Sequence, residues 1–171
     1  MRAGQGTDVI DASSSGLAGT PPSGDGALAY PIPPAALASF CSRLQHAFTD
    51  PHLLGRSLTH RSWCAEHAGF ASNERLEFLG DSVLGVVVTD EIYRRHPDAG
   101  EGQLSRIRAS VVCAPALAEM AVELGLGEVL LLGKGEAASG GRERPSILAD
   151  AMEAVLVANL AMLPLWGRWA Y

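Results

Sequence analysis

The sequence predicts an all-α fold, and three observations carry that expectation. Apolar residues recur at helical spacing in one segment after another from Ala35 onward. No period-2 alternation of strand length stands out. Proline opens several of these segments and glycine or proline closes them, the usual punctuation of helices. The segments are too short for a coiled coil, and no internal repeat is present. Hydrophobic content of 47% over 171 residues suffices for one packed core.

In chain order, residues 1–34 are rich in Gly, Ser, Ala and Pro, with "TPPSGDG" and "PIPP" among them. Such a composition buries too little surface to offset ordering, which predicts a disordered leader. A compact domain is expected over 35–156. Residues 34–48 have helical spacing after a proline start, and 53–67 read as a second helix. Residues 73–96 form a long helix that stops before Pro97. Residues 98–113 open on a turn, and Leu104, Ile107 and Val111 then follow helical spacing. Another helix is expected over 114–127, with Pro115 in its first turn and Gly125 near its end. A short apolar run and a glycine-rich loop fill 128–146, and 147–163 read as the last helix.

The net charge of −6 and pI near 5.3 argue against holding nucleic acid by bulk charge alone. They leave room for a nucleic acid enzyme, because a bound divalent cation inverts the local sign of a site. Cys41, Cys64 and Cys113 are odd in number and widely spaced, with no C-x-x-C. That reads as reduced thiols in a cytoplasmic protein. No basic-then-apolar signal segment is visible, and the apolar run from Val155 to Trp166 is too short for a membrane span, so no membrane partner is expected.

The chemistry concentrates in "SNERLEFLGDSVLG", residues 72–85. At about 100° per residue, Glu77 and Asp81 fall within about 60° of Glu74 on a helical wheel. Leu76, Leu79, Val83, Val86 and Val87 gather on the other side, the face expected to enter the core. The bland reading of the stripe is a solvated acidic face. Against it, Gly85 and Val88 continue the stripe, and Phe78 flanks it off the expected core face. An aromatic there suits a partner surface, or a berth beside another helix of the same chain. Gly80 costs about 1 kcal/mol relative to Ala inside a helix, and close approach of a helix or ligand would explain it.

A second pair answers the first. Between Ile147 and Trp166 the only charged residues are Asp150 and Glu153, one turn apart in an apolar helix. Buried carboxylates are costly unless paired or bound to metal. The helix N-terminus accounts for Asp150 more easily than for Glu153, and Arg142 and Arg144 lie close enough in sequence to pair with either. Two helices each offering two carboxylates make a hard-cation site, suited to Mg²⁺ or Mn²⁺. A di-iron bundle would require Glu-x-x-His, which is absent.

"NERLEFLGDSVLG" closely resembles the signature of the ribonuclease III family. "LTHRSW", "EGQLSRIRASVV", "LGKGEAASGGR" and "SILADAMEAV" resemble that family too, in its order. The resemblance runs from about Leu53 to Val155. It implies an all-helical endonuclease domain that forms a homodimer and cuts double-stranded RNA with Mg²⁺. The ends would be 5′-phosphate and 3′-hydroxyl with short 3′ overhangs. By position, Glu77, Asp81, Asp150 and Glu153 match the metal-site acids, with Asp81 and Glu153 carrying most of the chemical step. Glu74 matches an acid near the subunit interface, and Glu101 a further acid at the mouth of the cleft. Phe78 matches an aromatic that enters a pocket on the partner subunit.

Arg106, Arg108, Lys134 and Arg142 are candidate phosphate contacts, or ordinary solubilising charge. His60 in "LTHRSW" reads as a hydrogen-bonded structural residue more readily than as a catalyst. Bacterial relatives usually carry a C-terminal double-stranded RNA-binding domain, for which these residues offer no match. Residues 157–171, "VANLAMLPLWGRWAY", depart from the family's pattern, so an atypical apolar tail after a truncation or frame shift is expected, with Trp166 and Trp169 covering the core or left exposed. Two other functions compete with RNA cleavage: a non-cleaving dimeric RNA-binding or regulatory remnant, and a helical structural protein whose acids are surface charge.

Overall fold

The computed structural model describes residues 30–160. In chain order these form α1 (Pro34–Leu44), α2 (Pro51–Ser57), α3 (Arg61–Glu66), α4 (Glu74–Arg95), α5 (Glu101–Val111) and α6 (Ala114–Glu123). Then come α7 (Leu126–Val129), α8 (Lys134–Ala138), a 3-10 turn (Gly141–Glu143) and α9 (Pro145–Leu160). The fold is all-α. Among the described residues extended backbone pairs only in an isolated parallel bridge between Thr59 and Leu131. No helix there is long and apolar enough to cross a membrane.

The last helix is the axis of the core. A helix that is apolar almost all round must be surrounded, and α9 packs against α4, α6 and α2. Leu148, Ala151, Met152, Ala154 and Val155 are almost completely inaccessible. Full burial of a side chain such as Leu148 or Met152 is worth about 1.5–3 kcal/mol. Phe40, Leu58, Leu126 and Leu130 complete the same cluster from α1, the 58–60 segment, α7 and the run after it.

Several sequence expectations need correction. The helix expected over 53–67 is two helices. Thr59 interrupts it by bridging to Leu131: His60 N–H donates to the Leu131 carbonyl at 3.0 Å, and Leu131 N–H to the Leu58 carbonyl at 2.9 Å. The first helix ends at Leu44 instead of 48, where Gln45 takes a left-handed conformation (φ 54°). The helix expected to reach 127 stops at Glu123, and Gly125 (φ 65°) turns the chain into the separate α7. The glycine-rich loop holds α8 and the 3-10 turn, tied by Arg144 to Glu136. The end of the expected leader is docked, with Ile32 buried in the core and Tyr30 against it.

A further correction concerns α4. Leu76 and Val83 are buried as expected, but Leu79, Val86 and Val87 are exposed, Val86 to 70%. The face turned to α9 is instead the one bearing Gly80, where a Cβ would collide with the Glu153 carbonyl. Backbone approach that close fixes the roll of α4 about its axis and turns the other apolar residues outward. The expected boundary at 156/157 falls inside α9, which continues to Leu160. The rest of the expected tail, Trp166 and Trp169 included, lies outside the described residues, as do residues 1–29 of the expected leader.

Candidate active site

The start of α4 is set by its attachment to the 58–60 segment. Asn73, buried, donates its amide N–H to the Thr59 carbonyl at 2.8 Å, and its carbonyl receives the first helical N–H groups. Glu74 and Glu77 then fall in the first turn of α4, where the helix dipole favours negative charge. One turn on, Gly80 meets Glu153 of α9. That contact sets the residues flanking Gly80, Glu77 and Asp81, beside Asp150 and Glu153.

The electrostatics record the convergence. Glu153 is pushed up to about 7, first by burial and then by Asp81, Asp150 and Glu77. Glu77 is raised by burial, then by Asp150 and Glu74, with Arg61 opposing. Asp150 is raised by burial, with His60 and Arg61 opposing. These shifts have two of the standard causes, lost hydration and nearby like charge. Among the described residues none of Glu77, Asp81, Asp150 or Glu153 is in a salt bridge. Arg144, expected as a possible partner, pairs with Glu136 instead.

A cavity of about 270 Å³ opens between these elements, lined by Glu77, Asp150, His60, Arg61, Asn73 and Glu136 among others. Asp81 and Glu153 continue the acidic surface one turn further along α4 and α9. A donor set made only of carboxylate oxygens, whose repulsion Arg61 and His60 offset only in part, fits a hard divalent cation. Among the described residues no three acid, imidazole or thiol side chains are grouped tightly enough, as they stand, to enclose an ion. An ion that keeps several waters and takes one or two carboxylates directly needs no enclosure.

The other candidates are spread more widely. Glu74 lines the same cavity, accepts from Ser72 Oγ at 2.8 Å and faces Arg61 at 3.8 Å. Glu101 opens α5, where it accepts from Ser105 Oγ at 2.8 Å. It lines a separate groove of about 240 Å³ with Tyr93 and Arg108, so the structure does not gather it with the four acids within this chain. Arg108 reaches Thr89 Oγ1 at 3.5 Å, and Arg106 is exposed. Lys134 begins α8, its amide N–H donating to Glu66 Oε1 at 2.7 Å, and its side chain is exposed. Arg142 donates Nη1 to the carbonyls of Gly127 at 2.7 Å and Leu130 at 2.9 Å, a structural tie that the sequence did not suggest. Phe78 is 81% exposed, and Leu79, Val86, Val87 and Tyr93 of α4 are exposed as well.

Sequence reasoning missed Arg61, Asn73 and Glu136 as walls of the cavity. Arg61 and Asn73 carried no periodic signal, and Glu136 reaches the cavity only because α8 folds back on the 3-10 turn.

Comparison with known proteins adds to this geometry. A family model described as Ribonuclease-III-like matches residues 50–160. The chain is 59% identical over 108 residues to Ribonuclease 3 of Thermobifida fusca, covering 63% of this chain and 45% of that protein. It is 56% identical over 122 residues to Ribonuclease 3 of Albidiferax ferrireducens, covering 71% and 51%. The chain thus spans about half the length of the curated relatives it matches. The solved nuclease domain of ribonuclease III from Campylobacter jejuni superposes with a TM-score of 0.68 at 36% identity, over 77% of this chain and 89% of that one. That structure's description mentions a region involved in dimer formation.

Proposed function

The chain belongs to the ribonuclease III-like family, and on that premise we propose that it is the nuclease module of an endoribonuclease that cuts double-stranded RNA with Mg²⁺ or Mn²⁺. The substrates are structured RNAs such as ribosomal precursors, processed in the cytoplasm. The observation that carries this reading is the approach of Gly80 to Glu153, which sets two carboxylate pairs side by side with none of the four acids in a salt bridge among the described residues.

Glu77, Asp81, Asp150 and Glu153 would hold the ion. When bound, it neutralises phosphate charge and lowers the pKa of a water. The half-buried setting of Glu77, Asp150 and Glu153 strengthens their hold on a cation relative to open solvent. In the reaction a water oxygen bonds to phosphorus in line as the P–O3′ bond breaks, and the 3′ oxygen takes up a proton. The products are a 5′-phosphate and a 3′-hydroxyl. The exposed apolar residues of α4, Phe78 foremost among them, supply the surface for a two-fold homodimer. Two such sites facing one duplex would cut each strand once, leaving short 3′ overhangs.

The test is cleavage of duplex RNA by the chain with and without Mg²⁺. Mg²⁺-dependent cutting supports the reading. Duplex binding without any cutting would sink it in favour of a non-cleaving RNA-binding dimer.

A further inference from the structure

His60 carries chemistry that the carboxylates leave unused. It is the N-cap of α3, with extended backbone (φ −76°, ψ 151°). Ser, Thr, Asp and Asn are the usual residues there. Here the imidazole serves, Nδ1 accepting the Ser62 amide N–H at 3.2 Å. Ser62 Oγ lies 2.8 Å from the same nitrogen, and it accepts the Gly133 amide N–H at 2.9 Å. A hydroxyl that accepts from an amide retains its own proton, and Nδ1 is the acceptor beside it. Nδ1 thus faces two donors and carries no hydrogen. In a neutral imidazole the hydrogen is then on Nε2. Burial holds His60 below its usual pKa, ahead of the opposing pull of Glu136, so the ring is neutral at pH 7.

The surroundings lock this arrangement. The backbone of the 58–60 segment is bonded to Leu131 on one side and to Asn73 on the other. A Cβ on Gly133 would lie 2.6 Å from the Ser62 carbonyl oxygen, so only glycine lets the Gly133 amide approach Ser62. A cap alone is served as well by serine or aspartate. Histidine adds the second nitrogen, and His60 lines the cavity that holds Glu77 and Asp150. The cationic side chains there are engaged, Arg61 with Glu74 and Arg144 with Glu136. The His60 ring makes no hydrogen bond through Nε2 within the described residues.

We propose that His60 is a substrate-binding donor: its Nε2–H, fixed in place through Ser62 and Gly133, bonds a non-bridging phosphate oxygen of the RNA backbone in the carboxylate cavity. A phosphate oxygen only accepts, and the cavity's carboxylates also only accept, so a neutral donor among them gives the backbone one defined point of attachment. The assignment rests on the cleavage reading above and adds the group that seats the strand.

Two measurements test it. Long-range proton–nitrogen correlation spectra of the wild-type chain at pH 7 should show His60 protonated on Nε2 alone, with that signal moving when duplex RNA is added in Ca²⁺. A hydrogen on Nδ1, or an Nε2 signal indifferent to RNA, overturns the proposal. His60→Ser keeps a capping oxygen and removes the donor. It should melt close to the wild type and bind duplex RNA in Ca²⁺ roughly ten- to a hundred-fold more weakly, the span of a hydrogen bond to a charged group. Equal binding and cutting by His60→Ser, beside an active wild type, removes His60 alone. A wild type that neither binds nor cuts duplex RNA removes the cleavage reading and this assignment together.

Discussion

Gly80 of α4 lies against the backbone carbonyl of Glu153 of α9, closer than any residue with a side chain allows. Both halves of the acidic site flank this contact. Gly80→Ala therefore reverses an ordinary rule. In an unconstrained helix the change stabilises by about 1 kcal/mol. Here the added methyl forces α4 and α9 apart, a form of overpacking that costs typically ~1–3 kcal/mol. Thermal denaturation should show a lower melting temperature for Gly80→Ala, and cleavage should fall further than the fraction folded. A more stable variant would mean that the close approach does not exist in solution.

Glu153→Gln separates charge from shape. The amide nearly matches the carboxyl in size, and it removes one charge from a cluster in which like charges repel. Cutting should be lost, while the dimer persists and the metal-free protein melts no lower than the wild type. A variant that still cuts duplex RNA takes Glu153 out of the mechanism.

The raised carboxyl of Glu153 makes metal-free stability depend on pH. Its ordinary value is 4.5 and its folded value about 7, so the folded chain holds that proton more tightly than the unfolded chain. The associated stability is complete below the ordinary value and is lost as pH rises through about 7. Glu77 and Asp150 are shifted in the same direction. In chelator, the wild type should melt lower at about pH 8 than at about pH 5.5, and Glu153→Gln should show a shallower slope. Mg²⁺ should restore the loss at high pH by binding the folded state alone. A flat wild-type profile in chelator would show that the carboxylates do not crowd one another.

Phe78 is 81% exposed, so its removal costs the isolated chain little. In a dimer an exposed aromatic that enters the interface is a typical anchor, whose loss costs about 2 kcal/mol or more. Phe78→Ala should weaken self-association by roughly thirty-fold or more in sedimentation experiments, without lowering the melting temperature of the monomer. Unchanged self-association would move the interface elsewhere.

Much of this was legible in the sequence, for physical reasons. The class followed from period, and α9 from an apolar run that only a core accommodates. The four acids stood out because charge without a nearby counter-charge is conspicuous. The roll of α4 was hidden, because Leu79, Val86 and Val87 look like core residues whichever surface covers them. A missing side chain at Gly80 adds nothing to a hydrophobic pattern, yet it decides which face meets α9. The break at Thr59 depends on Leu131, a partner far along the chain that no local window contains. The tautomer of His60 depends on Ser62 and Gly133 together, and only coordinates set those two side by side.

The arginines divide into two kinds by the same logic. Arg142 gives Nη1 to the carbonyls of Gly127 and Leu130, which hold α7 and the run after it in place. Removing it breaks both bonds, one exposed and one part-buried, and a typical hydrogen bond contributes about 0.5–1.5 kcal/mol net. Arg106 is exposed on α5 and appears in no salt bridge among the described residues. Arg142→Ala should thus lower the melting temperature, whereas Arg106→Ala should not. If Arg106 touches a phosphate, its loss should reduce the slope of log affinity against log salt by about one. Titrations of duplex RNA in Ca²⁺ at several salt concentrations measure that slope directly. An unchanged slope would make Arg106 a solubilising charge, and a stable Arg142→Ala protein would mean that the carbonyls of Gly127 and Leu130 find water in its place.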